Sequence, residues 1–170
     1  MTVRDWMTPQ VETCTPNADL SCASMIMWRR DCGIVPVIDP ETSTLVGVVT
    51  DRDICMAVAT RHRTPDELTV RDVMSTALYT CKPEDEITTA LGVMRRRQVR
   101  RLPVVGEDRH LVGVISLADV IRHTAKPGAR NQPAITAQEL IDTLREIERP
   151  RAAAKAVEVG PSVMAEAVPS

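Results

Sequence analysis

The strongest feature of the sequence is an internal duplication. Four segments are repeated in similar form: residues 3–7 at 70–74, residues 13–16 at 80–83, residues 36–37 at 103–104 and residues 45–48 at 111–114. The offset is 67 residues at the start (3 to 70) and 66 near the end (45 to 111), so the second copy has one residue fewer in a turn. A unit of about 60 residues is only marginally stable alone. We therefore expect two similar units that share a core about a pseudo-two-fold axis and form clefts in pairs.

Composition and charge exclude several classes of protein. The formal net charge of −2 argues against a protein that binds nucleic acid or membrane surfaces through bulk charge. Aromatic residues make up only 2% of the chain, which leaves little for stacking on bases. No apolar run approaches the roughly 20 residues of a membrane span, and the N-terminus has no secretory character. We therefore expect a cytoplasmic protein without a membrane or nucleic-acid partner.

The five cysteines do not form a recognisable metal or redox motif. They are an odd number and none belongs to a CxxC pair, so neither a structural zinc site nor a thioredoxin-like site is supported. Buried, reduced cysteine is the simplest interpretation. Cys14 and Cys81 occupy equivalent positions of the repeat, which indicates a common packing role and leaves a redox pair open as an alternative.

Each copy has the pattern of a β-α-β-β-α unit, which predicts the α/β class. A short extended piece near Cys14 or Cys81 precedes a helix, and two strands and a second helix follow. Pro36 and Pro103 cannot donate to a sheet ladder, so their strands should be edges or carry a bulge. The first helix of each copy should present one apolar face to the core. These faces consist of Leu20, Ala23 and Met27 in the first copy and Ile87, Ala90, Leu91 and Met94 in the second.

The repeat boundaries divide the chain into four parts. Residues 1–63 hold the first copy with its linker, and residues 64–125 hold the second. Residues 126–150 form an extension with a helix at about 137–148, and residues 151–170 should be a flexible tail. A capping-box signature, T-x-x-E, opens the extension helix. Its residues are Thr136 and Glu139, and the predicted apolar face of the helix is Leu140, Ile141, Leu144 and Ile147.

A motif at the end of each copy allows two interpretations. Residues 47–53 (GVVTDRD) and 113–119 (GVISLAD) both read G-h-h-[ST]-x-x-D, with h aliphatic, at a strand-to-helix junction. In the first interpretation the hydroxyl and the carboxylate simply cap the helix. In the second, the free N–H groups of the helix start bind an anion, the carboxylate accepts from ribose hydroxyls, and the glycine leaves room for a flat ring.

The paired units resemble CBS domains arranged as a tandem Bateman module, like the small stand-alone bacterial proteins that are little more than a CBS pair. Three features carry the resemblance over about residues 3–123: the h-P-V strands, the G-h-h-[ST]-x-x-D junctions and the Thr-x-x-Pro helix starts. The resemblance implies a regulatory homodimer that binds AMP, ADP, ATP, S-adenosylmethionine or NAD(H), in energy sensing or a stress response. It would signal in trans to an unknown protein partner. Neither catalysis, nor a metal, nor a cofactor other than this regulatory ligand is implied.

The resemblance also implies where the ligands would lie. One ribose would be held by Thr50 and Asp53 and the other by Ser116 and Asp119, with adenine on apolar backbone near Val35 or Leu102. The neighbouring strand residues would be Thr80, Cys81 and Lys82 at the first cleft and Thr13, Cys14 and Thr15 at the second.

Basic residues distinguish the two copies. The second copy has Arg100 and Arg101 where the first has Gly33 and Ile34, and Arg52 has Ala118 as its counterpart. Residues 113–119 are also similar to the corresponding stretch in gamma subunits of AMP-activated protein kinase. In those subunits, basic residues at the positions of Arg100 and Arg101 reach phosphates. If these three arginines converge, the Thr50/Asp53 cleft should be the more cationic of the two. The run at residues 95–97 is interpreted as a solvated helix face.

Two other functions stay open. The first is a structural or interaction dimer whose clefts hold no ligand, with the helix at 137–148 extending the interface. The second is an enzyme with chemistry at Cys14 and Cys81 or at a weak metal site; an unperturbed thiol pKa near the usual ~8.5 would argue against a reactive cysteine. The three histidines lie at unrelated points and are interpreted as surface residues.

Overall fold

The computed structural model describes residues 1–124 and 135–150. The predictions made for residues 126–134 and for the tail at 151–170 lie outside the described residues. In chain order, the strands are β1 (Thr8–Pro9), β2 (Ile34–Ile38), β3 (Leu45–Thr50), β4 (Arg101–Val105) and β5 (Leu111–Ser116). The α-helices are α1 (Leu20–Arg30), α2 (Asp51–Arg61), α3 (Ile87–Arg97), α4 (Leu117–His123) and α5 (Ala137–Ile147).

Each repeat forms the predicted β-α-β-β-α unit, in which the first strand is reduced to a single bridge. Cys14 bridges Val37 and Cys81 bridges Val104, both in parallel. The other two strands of each unit pair in antiparallel fashion, β2 with β3 and β4 with β5. The α/β fold with two units and a further helix is therefore confirmed.

Both proline strands lie at the edge of their sheet and carry an irregularity, as predicted. The strand order is β1-β5-β4 in one sheet and β2-β3 in the other. The register shifts after Val37 in one pair and after Val104 in the other. Pro36 and Pro103 lack an N–H but accept hydrogen bonds through their carbonyls, from the N–H of Cys14 at 3.1 Å and of Cys81 at 3.2 Å.

The two units exchange their N-terminal segments. The N–H of Val3 donates to the carbonyl of Asp85 at 2.9 Å, and the equivalent N–H of Val70 donates to Ala18 at 2.8 Å. Val3 lies in the hydrophobic core of the second unit, whereas Val70 lies in that of the first. Because each segment completes the core of the other unit, the two halves depend on one another to fold.

The exchanged segments explain the glycine of the repeated motif. A Cβ on Gly113 would lie 2.6 Å from the carbonyl oxygen of Thr8, and one on Gly47 would lie 2.7 Å from the sulfur of Met74. The space beside each glycine is therefore taken by the segment from the other unit. The expectation that it leaves room for a flat ligand ring is wrong.

Reciprocal contacts show the pseudo-two-fold axis directly. Thr2 pairs with Glu86, and their equivalents Thr69 and Asp19 pair in the same way. Thr44 forms a bridge with His110, its own equivalent at the 66-residue offset (44 to 110), so the axis passes between these two residues.

The apolar helix faces are buried as predicted, except on α5. The predicted faces of α1 and α3 are at most 7% exposed. On α5, Leu140 and Ile147 are buried in the core of the second unit, but Ile141 is 43% exposed and the buried position is taken by Thr143. Thr143 can be buried because its hydroxyl donates to the carbonyl of Glu139 at 2.7 Å.

The capping box at the start of α5 is confirmed. The N–H and hydroxyl of Thr136 both donate to the carboxylate of Glu139 at 2.8 Å. These two hydrogen bonds lower the pKa of Glu139. In the part of the chain that the structure describes, no helix is long and apolar enough to cross a membrane.

Candidate ligand-binding cleft

The two motif junctions form matching capping boxes. At the β3–α2 junction the hydroxyl of Thr50 donates to Oδ2 of Asp53 at 2.7 Å, and the N–H of Asp53 donates back to that hydroxyl at 3.3 Å. At the β5–α4 junction the hydroxyl of Ser116 donates to Oδ2 of Asp119 at 2.5 Å, and the return bond is 3.1 Å. The capping interpretation therefore holds at both junctions, and what else each site can do depends on the second carboxylate oxygen.

That second oxygen distinguishes the two junctions. Oδ1 of Asp119 pairs with the guanidinium of Arg122, and the Asp119 residue is 5% exposed. The residue equivalent to Arg122 at the 66-residue offset (56 to 122) is Met56, which cannot form such a pair. Among the described residues, Oδ1 of Asp53 accepts no hydrogen bond. Asp53 is thus the junction carboxylate with an oxygen available to a ligand.

Asp53 faces a cleft of about 1040 Å³ between the two units. Thr50, Arg52 and Asp53 enter it from the β3–α2 junction, and Arg100 and Arg101 enter it from the start of β4. The expectation of unequal clefts depended on these three arginines lying together beside the Thr50/Asp53 junction, and all three line this cleft.

The lining of this cleft is predominantly cationic. Five arginines face three carboxylates; these are Arg52, Arg97, Arg100, Arg101 and Arg149 against Asp51, Asp53 and Glu148. In the described part of the chain, neither Arg52 nor Arg101 forms an ion pair. Two unpaired guanidinium groups near the N-terminus of α2 favour an anionic ligand, because both present N–H donors to the same space.

Two residues of the cleft were not singled out from the sequence. Tyr79 lines it, and the guanidinium carbon of Arg97 lies 4.8 Å from the centre of the Tyr79 ring. Arg97 belongs to the run interpreted as a solvated face, and Tyr79 directly precedes the Thr80-Cys81 segment. The sequence contained one indication of this site: Tyr79 is an aromatic residue in a chain that has few, and the equivalent position in the first copy is Glu12.

The C-terminal end of α5 forms a further wall that the sequence did not reveal. Ile147, Glu148 and Arg149 line the cleft. The carboxylate of Glu148 pairs with Arg100. Contact between this extension and the repeats depends on tertiary packing, which no local pattern in the extension encodes.

Several predicted residues lie outside the cleft. Val35 and Leu102 are 0% exposed and Cys81 is 4% exposed, since all three side chains belong to the hydrophobic cores. The apolar strand surface in the cleft comes instead from Ile34 and Pro103. This difference follows from strand alternation, because neighbouring side chains point to opposite faces. Thr80, which is half-buried, and Lys82, which is exposed, are also absent from the lining.

Ion pairs lie beside the residues predicted for the second cleft. Next to Thr13, Cys14 and Thr15, the carboxylate of Glu12 pairs with Arg29 at 3.3 Å and with Arg30 at 2.5 Å. Arg30 is the equivalent of Arg97 at the 67-residue offset (30 to 97). Ser116 and Asp119 are engaged in their capping box, and Asp119 is further paired with Arg122. Three arginines thus share two carboxylates, and both carboxylates are engaged in ion pairs.

The cysteines at equivalent positions are packing residues. Burial raises the pKa of Cys14 to about 11 and that of Cys81 to about 12. A thiol with so high a pKa is protonated at neutral pH and is a poor nucleophile. All five cysteines are free, and no group of three or more potential metal ligands occurs within residues 1–124 and 135–150.

Comparisons with known proteins agree with the duplicated fold. The family model of the CBS domain matches residues 3–60 and 70–126. CBS domain-containing protein YhcV of Bacillus subtilis is 36% identical over 118 residues, which cover 69% of this chain and 81% of YhcV. Hypoxic response protein 1 of Mycobacterium tuberculosis is 33% identical over 122 residues, which cover 72% and 84% of the two chains.

Solved structures show the same architecture. A structure of Hypoxic Response Protein I with two coordinated zinc ions superposes with a TM-score of 0.66 at 31% identity, covering 74% of this chain and all of that one. A structure of CBSX2 in complex with AMP superposes with a TM-score of 0.61 at 28% identity, covering 71% and 93%. The chain belongs to the CBS-domain family and carries two CBS domains in tandem.

Proposed function

We propose that this chain is a regulatory CBS pair that binds one adenosine-containing ligand in the Thr50/Asp53 cleft. AMP, ADP and ATP are the first candidates, and S-adenosylmethionine and NAD(H) belong to the same class. The chain performs no chemistry of its own. It passes the binding signal in trans to a partner protein in the cytoplasm, where adenine nucleotides are abundant and thiols such as its five free cysteines stay reduced.

One observation carries the proposal: Asp53, whose Oδ1 accepts no hydrogen bond among the described residues, lines a cleft rich in arginine. A carboxylate beside a hydroxyl at a helix N-terminus suits the two hydroxyls of a ribose. Arg52 and Arg101 supply donors for phosphate, while Ile34 and Pro103 supply apolar surface for adenine. The three parts of an adenine nucleotide thus each find a chemically matched surface in one cleft.

The relatives support the ligand class. CBSX2, which is 28% identical to this chain, has been solved in complex with AMP. A ligand-binding role without catalysis is also consistent with the high thiol pKa values of Cys14 and Cys81.

The alternative is a dimer whose clefts hold no ligand. Met25 and Trp28 lie three residues apart on α1 and are 54% and 85% exposed, which favours self-association through this helix. We include a homodimer in the proposal, since ligand binding and dimerisation are compatible. A panel of adenylates that all fail to bind would leave the structural dimer as the function.

Isothermal titration of the chain with AMP, ATP, S-adenosylmethionine and NADH tests the proposal. We expect one ligand per chain. Asp53→Ala should reduce affinity by about tenfold to a hundredfold, because hydrogen bonds to a charged group contribute about 1.5–3 kcal/mol. Asp119→Ala is the matched control: it removes the equivalent cap but should leave affinity within about twofold.

A second variant separates ligand binding from folding. Asp53→Asn keeps a side-chain oxygen for the cap of α2 but loses the charge, so it should unfold at nearly the wild-type temperature and still bind weakly. Equal losses of affinity in the Asp53 and Asp119 variants would contradict the assignment of the site to the first junction.

A further inference from the structure

The end of α5 belongs to the cleft although it lies outside both CBS domains. Ile147, Glu148 and Arg149 line the cleft, whereas the second family match ends at residue 126. This wall is therefore a feature of this chain rather than of its two domains. Within this wall, Glu148 is the side chain that pairs with a cleft arginine of the second CBS domain.

The carboxylate of Glu148 pairs with the guanidinium of Arg100. The two side chains are 53% and 59% exposed, so water screens the pair and its net strength is small. A phosphate group can accept two parallel hydrogen bonds from the same guanidinium and carries more charge than a carboxylate. A ligand phosphate that enters the cleft at Arg100 therefore competes with Glu148 for one donor group.

The last turn of α5 is also held by Gln98, two residues before Arg100. Its Nε2 donates to the carbonyl of Glu146 at 3.2 Å and to that of Arg149 at 2.9 Å. Gln98 and Arg100 share the short turn between α3 and β4. Both residues of this turn therefore contact the end of α5, Gln98 through its hydrogen bonds and Arg100 through its ion pair with Glu148.

The rest of α5 is anchored independently of the cleft. Leu140 is 7% exposed and Thr143 is 0% exposed, and Nη2 of Arg95 donates to the Thr143 hydroxyl at 3.3 Å. Loss of the Glu148 contact would therefore act on the last turn alone and leave the helix docked on α3.

We propose that Glu148 determines how strongly the cleft prefers phosphorylated over unphosphorylated adenosine ligands, and that phosphate binding at Arg100 displaces Glu148 and loosens the last turn of α5. This inference rests on the proposed function, since it concerns the same cleft. The coupling is reciprocal: if the Glu148–Arg100 contact weakens binding of the phosphate by a given factor, the bound phosphate weakens that contact by the same factor.

Titration of the full chain with ATP and with adenosine, in wild type and in Glu148→Gln, tests the inference. Removing the competing charge should raise ATP affinity by about two- to fivefold, the range of an exposed ion pair, and leave adenosine affinity unchanged. Asp142→Asn is the matched control. It removes a carboxylate that pairs with Arg145 on the same helix at 3.2 Å and does not line the cleft, so its ATP affinity should equal that of wild type.

Hydrogen exchange of the wild-type chain gives a second readout. ATP should speed amide exchange at the last turn of α5, and adenosine should not. Slower exchange with ATP would overturn the inference, because α5 would then close on the phosphate rather than yield to it.

The outcomes separate the inference from the proposed function. If ATP binds wild type and Glu148→Gln equally well, the inference fails and the ligand site stands. An equal gain for adenosine and ATP also overturns it, because the effect would then not involve phosphate. If neither ATP nor adenosine binds wild type, the proposed function fails and the inference falls with it.

Discussion

The two strand-to-helix junctions have the same motif and the same capping box, but they differ in whether the second carboxylate oxygen is paired. Asp53 and Asp119 each accept a hydrogen bond from a hydroxyl through Oδ2, yet Oδ1 of Asp119 pairs with Arg122, whereas Oδ1 of Asp53 accepts no hydrogen bond among the described residues. The difference lies one turn further along the helix, where the first copy has Met56. Duplication thus preserves the scaffold of the site, while positions outside the motif decide whether a ligand can use it.

A second pair of equivalent positions reinforces the contrast. Arg97 lies over the ring of Tyr79 in the second copy, whereas its counterpart Arg30 pairs with the carboxylate of Glu12 in the first. Among the described residues Arg97 has no carboxylate partner, but Arg30 is engaged with Glu12, which it shares with Arg29. Both differences therefore leave more unpaired polar groups at the Thr50/Asp53 cleft.

The largest effect is expected from moving the Arg122 contact into the first copy. In Met56→Arg the new guanidinium stands three residues after Asp53, as Arg122 does after Asp119, and should occupy the open Oδ1. Met56 is 52% exposed, so the fold should tolerate the change. We expect AMP affinity to fall at least about tenfold, the equivalent of one charge-assisted hydrogen bond.

Calorimetry on Met56→Arg is compared with Met56→Gln, which has similar length and no charge. The glutamine variant should bind AMP within about twofold of wild type. If both variants bind AMP alike, occupation of Oδ1 does not explain why the two junctions differ.

A smaller effect is expected at the aromatic position. Tyr79→Leu keeps the apolar bulk of the side chain but removes the ring under Arg97, and Arg97 then loses an orientation suited to the ligand. Cation–π contacts at exposed sites contribute about 0.5–1 kcal/mol, so we expect AMP affinity to fall about two- to fivefold. Glu12→Gln changes the equivalent position in the other copy and should leave AMP affinity unchanged; an equal loss in both would mean that both clefts bind.

The sequence predicted the scaffold of this site better than its contents. The units, the edge strands and the helix faces follow from local periodicity and from proline, which act within a few residues. The exchange of N-terminal segments does not follow from local patterns, because it joins Thr8 to Val114 and Ser75 to Val48 across the molecule. A repeated T-V-R-D stretch that forms a capped turn at Val3–Asp5 and Val70–Asp72 was visible but had no evident partner.

Side-chain direction separates the predicted site residues that line the cleft from those that do not. Val35 and Cys81 belong to strands at the cleft, but alternation points them into the cores. The role of Glu148 required knowing that α5 packs on α3. Arg52, Arg100 and Arg101 could be identified because a difference between two copies of one pattern is visible in the sequence itself.

The smallest difference between the two halves is expected at the two buried cysteines, which occupy equivalent positions of the repeat. Cys14 and Cys81 are 5% and 4% exposed, so at pH 8.5 iodoacetamide should modify the exposed Cys22 and Cys55 and spare both buried thiols. Their pKa values in the folded chain, about 11 and 12, lie above the ordinary value of 9.0. The unfolded chain therefore loses these protons first, and the free energy of unfolding should fall as the pH rises from about 9 to 11.

Peptide mass mapping after alkylation gives the rate of modification at each cysteine. Fast modification of one buried thiol but not the other would show that the halves differ in their cores as well as in their clefts, and the division between a common scaffold and distinct sites would no longer hold.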